Sequence, residues 1–285
     1  MSISRQNLTI VIVTLKSESI IDQCLESIDK NIPIIIVENS NNHKFKNKLE
    51  SKYQNLKCIL ANSNLGMGAG NNIGIKEAKT DFILILNPDV VLENNTLEEL
   101  FLASNKISDF SIIAPLEKKY INYGPSNNHN KEFPFQVQWV DGFAMLLNKK
   151  KLKEEIFFDE KFFMYLENND LCKRVRNNGG SIFIVPNAKI NHLAAKTVDV
   201  KFADEVEFSR NWHWIWSKFY FNKKHYGFFK AFYEGFPRYC SSLIRFLFYL
   251  LINNKKKKKI YFNRASGFYN ALLGKASWYR PNLEN

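Results

Sequence analysis

Short apolar runs alternate with helix-period segments through the first part of this chain. Leu8–Val13, Ile32–Val37, Leu56–Leu60 and Phe82–Leu86 read as strands. Between them, Ser19–Lys30 carries apolar residues at helical spacing (Ile20, Ile21, Cys24, Leu25, Ile28), and Lys44–Tyr53 and Leu97–Ser104 read as further helices. The glycine- and asparagine-rich stretch Gly66–Gly74 is expected to be a turn leading into a helix near Ile73–Ala78. Fully apolar strands separated by helices predict an α/β protein with a mostly parallel central sheet covered on both faces. Further on, Ser111–Pro115 and Phe143–Leu147 read as strands, and the polar stretch Lys118–Phe135 as a loop over the sheet. A helix is expected over Leu166–Asn178, closed by Gly179-Gly180, then a strand Ser181–Val185 stopped by Pro186. After about Val200 the pattern changes to crowded aromatics (Trp212, Trp214, Trp216, Phe219, Tyr220, Phe221), then a Phe-, Tyr- and Leu-rich stretch from Phe228 to Ile252.

Composition narrows the function classes. With 285 residues the chain can bury a large core. Four scattered cysteines (Cys24, Cys58, Cys172, Cys240) lack metal-type pairing and point to a reducing compartment. Leu8–Val13 has little basic leader, so no secretory signal is expected. The formal net charge of +12 first raises nucleic acid as a partner. The basic residues are unevenly placed, however. The densest run, Lys255–Lys259, adjoins the aromatic segment, and Ser241–Ile252 is apolar apart from Arg245 but too short to span a bilayer. Basic charge beside apolar surface fits an anionic membrane face, with an aromatic dimer interface as the other option. Nucleic acid is not expected as a partner.

The candidate chemistry sits at strand ends. In Leu86-Asn87-Pro88-Asp89 an apolar strand stops at a proline and presents Asp89 at its carboxyl end, where ligands bind in open α/β sheets. A hard oxygen ligand there, downstream of a Gly/Asn-rich turn, points to a metal-bridged diphosphate; a solvated turn acid is the plain alternative. The segment Asn64-Leu65-Gly66-Met67-Gly68-Ala69-Gly70-Asn71 offers close backbone approach and a helix N-terminus to an anion, yet it matches neither the dinucleotide fingerprint nor a P-loop. Glu38-Asn39-Ser40, after the second strand, can accept from a ribose hydroxyl or a base N–H, or simply form a turn. Glu167 and Asp170 stand three apart at a helix start, so one could cap the helix while the other faces a cleft as a general base. His192 could complete a metal site with Asp89, or be structural.

In this order, the segments resemble glycosyltransferase family 2, the inverting GT-A enzymes, and in particular its bacterial rhamnosyltransferase-like branch. The likeness covers roughly residues 8 to 200, with a weaker one in the tail. It implies a catalytic domain over 1–200 (nucleotide half about 1–115, acceptor half about 116–200) and a helical extension over 201–285. It places Thr14, Glu38, Asn39, Asn64, Gly66, Gly70, Asn71 and Asn87 around a nucleotide-sugar, and Asp89 and His192 at Mg²⁺ or Mn²⁺. Trp139, Asp141 and Gly142 fall on the acceptor side. It implies a nucleotide-diphospho-sugar donor, a glycan or lipid-linked saccharide acceptor in cell-surface polysaccharide synthesis, and a cytoplasmic location at the inner face of the plasma membrane.

Two positions depart from the family pattern. Asn87 replaces the first acid of the Asp-x-Asp motif. Asn168 stands where the family most often places its base, and an amide cannot take a proton. The base role therefore falls to Glu167 or Asp170. Failing both, the chain would be a non-catalytic nucleotide-sugar-binding module, or an aromatic and basic interaction protein.

Overall fold

The computed structural model describes residues 3–107, 109–117, 133–152, 157–193 and 200–283. Most of the loop expected over Lys118–Phe135, and the junction just before residue 200, lie outside the described residues. The chain divides into two compact units, Met1–Asp159 with Asn168–Val198, and Glu160–Glu167 with Asp199–Asn285.

The first unit is built on a mixed sheet. Strands β1 (Leu8–Thr14), β2 (Ile34–Glu38), β3 (Leu56–Leu60) and β4 (Phe82–Leu86) are parallel, with β1 between β2 and β4. Every residue of β1, β2 and β4 is buried, as unbroken apolar runs require when helices cover both faces. The helices between them are α1 (Ile21–Glu26), α2 (His43–Lys52) and α3 (Met67–Glu77). Beyond β4 the sheet stops being parallel. Strand β8 (Ala144–Asn148) runs antiparallel to β4, β6 (Ile112–Glu117) antiparallel to β8, and β9 (Ile182–His192) parallel to β6. Two short strands, β5 (Val90–Leu92) and β7 (Phe135–Gln136), pair with β9, and α4 (Thr96–Lys106) and α5 (Glu167–Asn177) complete the elements around the sheet.

Two elements differ from the sequence expectation. The glycine stretch is not a loop before a helix: α3 starts at Met67, so Gly68, Gly70 and Gly74 lie inside it. Gly70 and Gly74 form the helix face against β1, where an added Cβ would meet Val13 Cγ1 at 2.8 Å and Val11 Cγ1 at 2.3 Å. The glycines are there because helix and strand backbones touch. Pro186 does not end a strand either. The β6 register jumps from Pro115↔Val185 to Leu116↔Lys189, so 186–188 bulge out and the ladder resumes beyond them. A proline without an N–H is tolerated because it sits in the bulge.

The second unit is helical: α6 (Ala203–Tyr226), α7 (Phe228–Leu251) and α8 (Lys255–Leu272). Trp212, Trp216, Phe219 and Phe268 form its core. Gly267 lets α8 lie directly on α6, since a Cβ there would stand 2.4 Å from the Trp212 carbonyl oxygen. Helix α7 buries only Ala231 and Ser242. Its outer stripe, Phe229, Tyr233, Phe236, Ile244, Leu247 and Leu251, is exposed, Phe229 and Leu251 by 87% and 84%. Among the described residues no helix is long and apolar enough to cross a membrane.

The contact of α3 with β1 yields a stability prediction. Gly74→Ala forces a methyl group into Val11 and should cost about 1–3 kcal/mol. Urea unfolding would show a lower midpoint with unchanged slope, and Val11→Ala in the same chain should recover part of the loss.

Candidate active site

The register of β1 with its neighbours brings the predicted donor-side residues to one edge. Thr14 pairs with Glu38, and Ile12 with Leu86, so the chain leaves β1, β2 and β4 at adjacent points. Glu38 is fully buried, and its carboxylate accepts from the backbone N–H of Asn42 at 2.6 Å and from the N–H and hydroxyl of Ser40. It thereby organises the turn after β2. Asn39 is also buried, and its Nδ2 donates to the Gly66 carbonyl at 3.2 Å, tying this turn to the start of α3. Gly66 has φ +84°, a conformation that favours glycine, and its N–H is received by Asn64 Oδ1 at 3.2 Å. Asn72 fixes α3 to the following segment by donating to the Phe158 carbonyl and accepting from its N–H.

This edge holds buried oxygens that the protein leaves unpaired. Thr14 Oγ1, Asn39 Oδ1, Asn71 Oδ1, Asn87 Oδ1 and Asp89 Oδ1 are all enclosed without a hydrogen-bond partner among the described residues. Each unsatisfied buried acceptor costs about 1–3 kcal/mol, so a run of them at one sheet edge marks a place prepared for donors or a cation from outside the chain.

Asp89 lies just before β5, and the pairing of Val90 with His192 delivers the imidazole to it. His192 Nε2 stands 3.3 Å from Asp89 Oδ2, and the ring packs on Phe143 at 4.5 Å between centroids. On the other side, His192 Nδ1 is 3.9 Å from Glu117 Oε1. Glu117 is not among the expected site residues, because the apolar pattern ends at Pro115 whereas β6 runs on to Glu117. The signal was nonetheless present, an acid closing an apolar strand just as Asp89 follows β4. Among the described residues no group of three or more His, Cys, Asp or Glu side chains could hold a metal ion. The open Asp89 oxygen and the adjacent imidazole nevertheless suit a hard divalent cation whose other ligands come from a diphosphate and water.

The predicted acceptor-side residues lie between β7 and β8. Trp139 is 40% exposed, and Asp141 and Gly142 are half-buried. Val140, Asp141, Phe143, Ala144 and Glu117 line a cavity of about 20 Å³. A larger cavity, about 790 Å³, lies against β5, α1 and α4, and none of the predicted site residues lines it.

The two candidate bases have different surroundings. Asp170 is fully buried and bonded to Arg174 Nε at 2.7 Å, while the same guanidinium donates to the Phe157 carbonyl at 2.6 Å. Asn168 donates to the Val140 carbonyl at 2.7 Å and packs on Gly142, so its amide supports the acceptor-side segment. Glu167, which belongs to the second compact unit, is half-buried with Oε2 enclosed and unpartnered. Burial pushes its carboxyl up to about 7.

These features were set beside known proteins. Residues 9–170 match glycosyl transferase family 2. A hexosyltransferase of low-salt glycan biosynthesis from Haloferax volcanii is 25% identical over 62% of this chain and 64% of its own length. The rhamnosyltransferase WbbL of Escherichia coli is 26% identical over 65% of this chain and 83% of its own. Among solved structures, a Pyrobaculum calidifontis mannosyltransferase in complex with GDP-Man and Mn²⁺ superposes with a TM-score of 0.58 at 11% identity, over 94% of this chain and 88% of that one. The fold is that of the GT-A glycosyltransferases. The chain belongs to glycosyl transferase family 2.

The surroundings of Glu167 give a pH prediction. Between pH 4.5 and about 7 the unfolded state ionises this group while the folded state keeps its proton, so stability falls as pH rises through that window. Because the side chain is half-buried, the loss should be about 1–3 kcal/mol. Glu167→Gln should remove that fall, and urea unfolding of both proteins across the window measures it.

Proposed function

We propose that this protein transfers a hexosyl residue from a nucleotide-diphospho-sugar to a hydroxyl of a glycan or lipid-linked saccharide, with inversion, in cell-surface glycan assembly. The observation that carries this is the set of unpaired buried oxygens at the ends of β1, β2 and β4 and along the start of α3, beside the Asp89–His192 pair. The WbbL likeness favours a rhamnosyl donor among hexoses.

In this reading Glu38 and Asn39 shape the nucleotide end of the site, and Thr14, Asn71 and Asn87 receive donor hydroxyls and N–H groups. Gly66 opens the start of α3 to the diphosphate, and Gly70 lets α3 lie close on β1 so that its N-terminus reaches the sheet edge. Mg²⁺ or Mn²⁺, held by Asp89 and His192, would supply Lewis-acid neutralisation of the leaving diphosphate. Trp139, Asp141 and Gly142 border the acceptor. Glu167 takes the proton from the attacking hydroxyl: its carboxyl is raised toward neutrality and it is not committed to a cation. Asp170 is spent on Arg174 and serves the fold. A single in-line displacement inverts the anomeric centre and needs no protein nucleophile.

The lipid-linked acceptor is supported by α7. Its outward apolar stripe lies close in sequence to Arg238, Arg245 and the α8 lysines, and Arg245 stacks on Tyr261 at 5.4 Å. Such a helix lies in the interfacial plane of an anionic bilayer, with apolar side chains down and basic groups at the headgroups. In this reading the protein is peripheral, at the cytoplasmic face of the membrane.

Screening nucleotide-sugars with Mn²⁺ by thermal unfolding tests the site. A cognate donor at 100 times its Kd should stabilise the protein by about 2.7 kcal/mol, and Asp89→Ala should lose that shift. Glu167→Gln should keep the shift and lose transfer. If no nucleotide-sugar stabilises the wild type, the donor site is misassigned.

Vesicle sedimentation tests the membrane reading. Full-length protein should pellet with phosphatidylglycerol-containing vesicles and release at high salt, whereas Phe229→Glu with Leu251→Glu should stay in the supernatant. Concentration-dependent dimerisation without vesicle binding would instead assign the stripe to a second copy.

A further inference from the structure

The turn that delivers Glu167 is strained. Tyr165 and Leu166 have φ of +70° and +66°, two consecutive non-glycine residues in the left-handed region. Neither is a residue type that visits this region readily. Such a pair persists only where its surroundings over-determine it.

Those surroundings lie within the second compact unit. From α6, Ser217 Oγ donates to the Met164 carbonyl at 2.7 Å, and Ser217 is fully buried. His213 packs on Phe163 at 4.6 Å between centroids, and Trp214 meets Tyr165 edge-on at 5.4 Å. From the C-terminal segment, Ser277 Oγ donates to the Lys161 carbonyl at 2.7 Å, and the Arg280 guanidinium sits 3.7 Å over the Phe163 ring. His213 joins the two sources, with Nε2 2.8 Å from the Tyr279 carbonyl. Burial pushes this imidazole down to about 4, so it is neutral and donates through Nε2.

We propose that Ser217 and Arg280 are positioning residues that hold the Tyr165–Leu166 turn in its left-handed conformation and so fix the carboxyl group of Glu167. This deepens the assignment of Glu167 as the base and rests on it. Ser217 anchors the carbonyl just before the strained pair, and Arg280 clamps the ring one residue earlier, so loss of either frees the turn to relax to negative φ. Glu167 would then swing toward water, and a misplacement of about 1 Å can cost around 100-fold in rate.

The test uses full-length protein labelled with ¹³C at glutamate carboxyls, with Glu167 identified by the resonance missing from Glu167→Gln. Titration reads the environment of the carboxyl without needing a substrate. The charged and titratable groups that face this segment include Arg210, His213, Lys224, Arg280 and Tyr165. In wild type the midpoint should lie near 7. In Ser217→Ala and in Arg280→Ala it should fall by about one pH unit or more toward the ordinary glutamate value. Arg280→Lys should stay near wild type, because the cation over Phe163 is kept. Adding Leu166→Gly to Ser217→Ala should restore the wild-type midpoint, since glycine accepts positive φ without strain. An unchanged midpoint in Ser217→Ala and Arg280→Ala, both folded by their melting curves, would overturn the proposal. Loss of the midpoint shift without rescue by Leu166→Gly would also overturn it. Failure of the base assignment is a separate outcome, seen as transfer surviving Glu167→Gln while these titrations behave as expected.

Discussion

The parallel pairing of β1 with both β2 and β4 is the constraint on which the proposed donor side depends. Parallel strands must all leave the sheet at the same edge, and each needs a crossover to begin the next. Thr14, the Glu38–Asn39 turn and Asn87–Asp89 therefore lie at the ends of adjacent strands. The crossover helix α3 can approach this edge only because Gly70 and Gly74 replace side chains with backbone. The result is a crowded rim with buried oxygens that have no partner among the described residues, and a ligand that supplied donors and a cation would remove that cost.

The other half of the sheet solves a different problem. His192 lies far along the chain from Asp89, and it arrives through β9, which bulges at 186–188 and then resumes its pairing. Without that bulge the proline would end the strand and the imidazole would have no fixed place. Phe143 backs the ring, and Glu117 flanks its other nitrogen, so the orientation of His192 is set by three elements at once. Similar logic separates the two carboxylates at the start of α5. One turn apart in sequence, Asp170 is ion-paired with Arg174 from its own helix, whereas Glu167 has no ion pair and an open oxygen among the described residues. Chemical availability is decided by what lies opposite each group.

The helical unit faces two ways. The inner surface of α6 holds the 160–167 segment through Ser217, His213 and Trp214. The outer surface of α7 leaves its apolar residues unburied. Aromatic crowding after residue 200 thus has two physical causes in a single unit, a core built on Trp212 and Phe268 and an outward stripe running from Phe229 to Leu251.

Much of this was legible in the sequence. Unbroken apolar runs specify buried parallel strands because both faces must be covered, so Phe82–Leu86 is read to the residue and Leu8–Thr14 nearly so, and the edge strand Leu56–Leu60 is read to the residue although it exposes Lys57. Family-like spacing led to Asp89 and His192, which the sheet does bring within 3.3 Å. The rest depended on contacts between distant segments, which local pattern does not encode. Whether glycines mark a loop or a helix face depends on what packs against them, here Val11 and Val13. Whether a proline ends a strand depends on whether its partner lets it bulge. Whether Glu167 or Asp170 is free depends on Arg174 and on the enclosure around each carboxyl. Sequence determined the elements and the edge at which chemistry collects, because burial periodicity is local. Only the tertiary structure decided which acids are spent and which remain open, because pairing and desolvation are set by neighbours far along the chain.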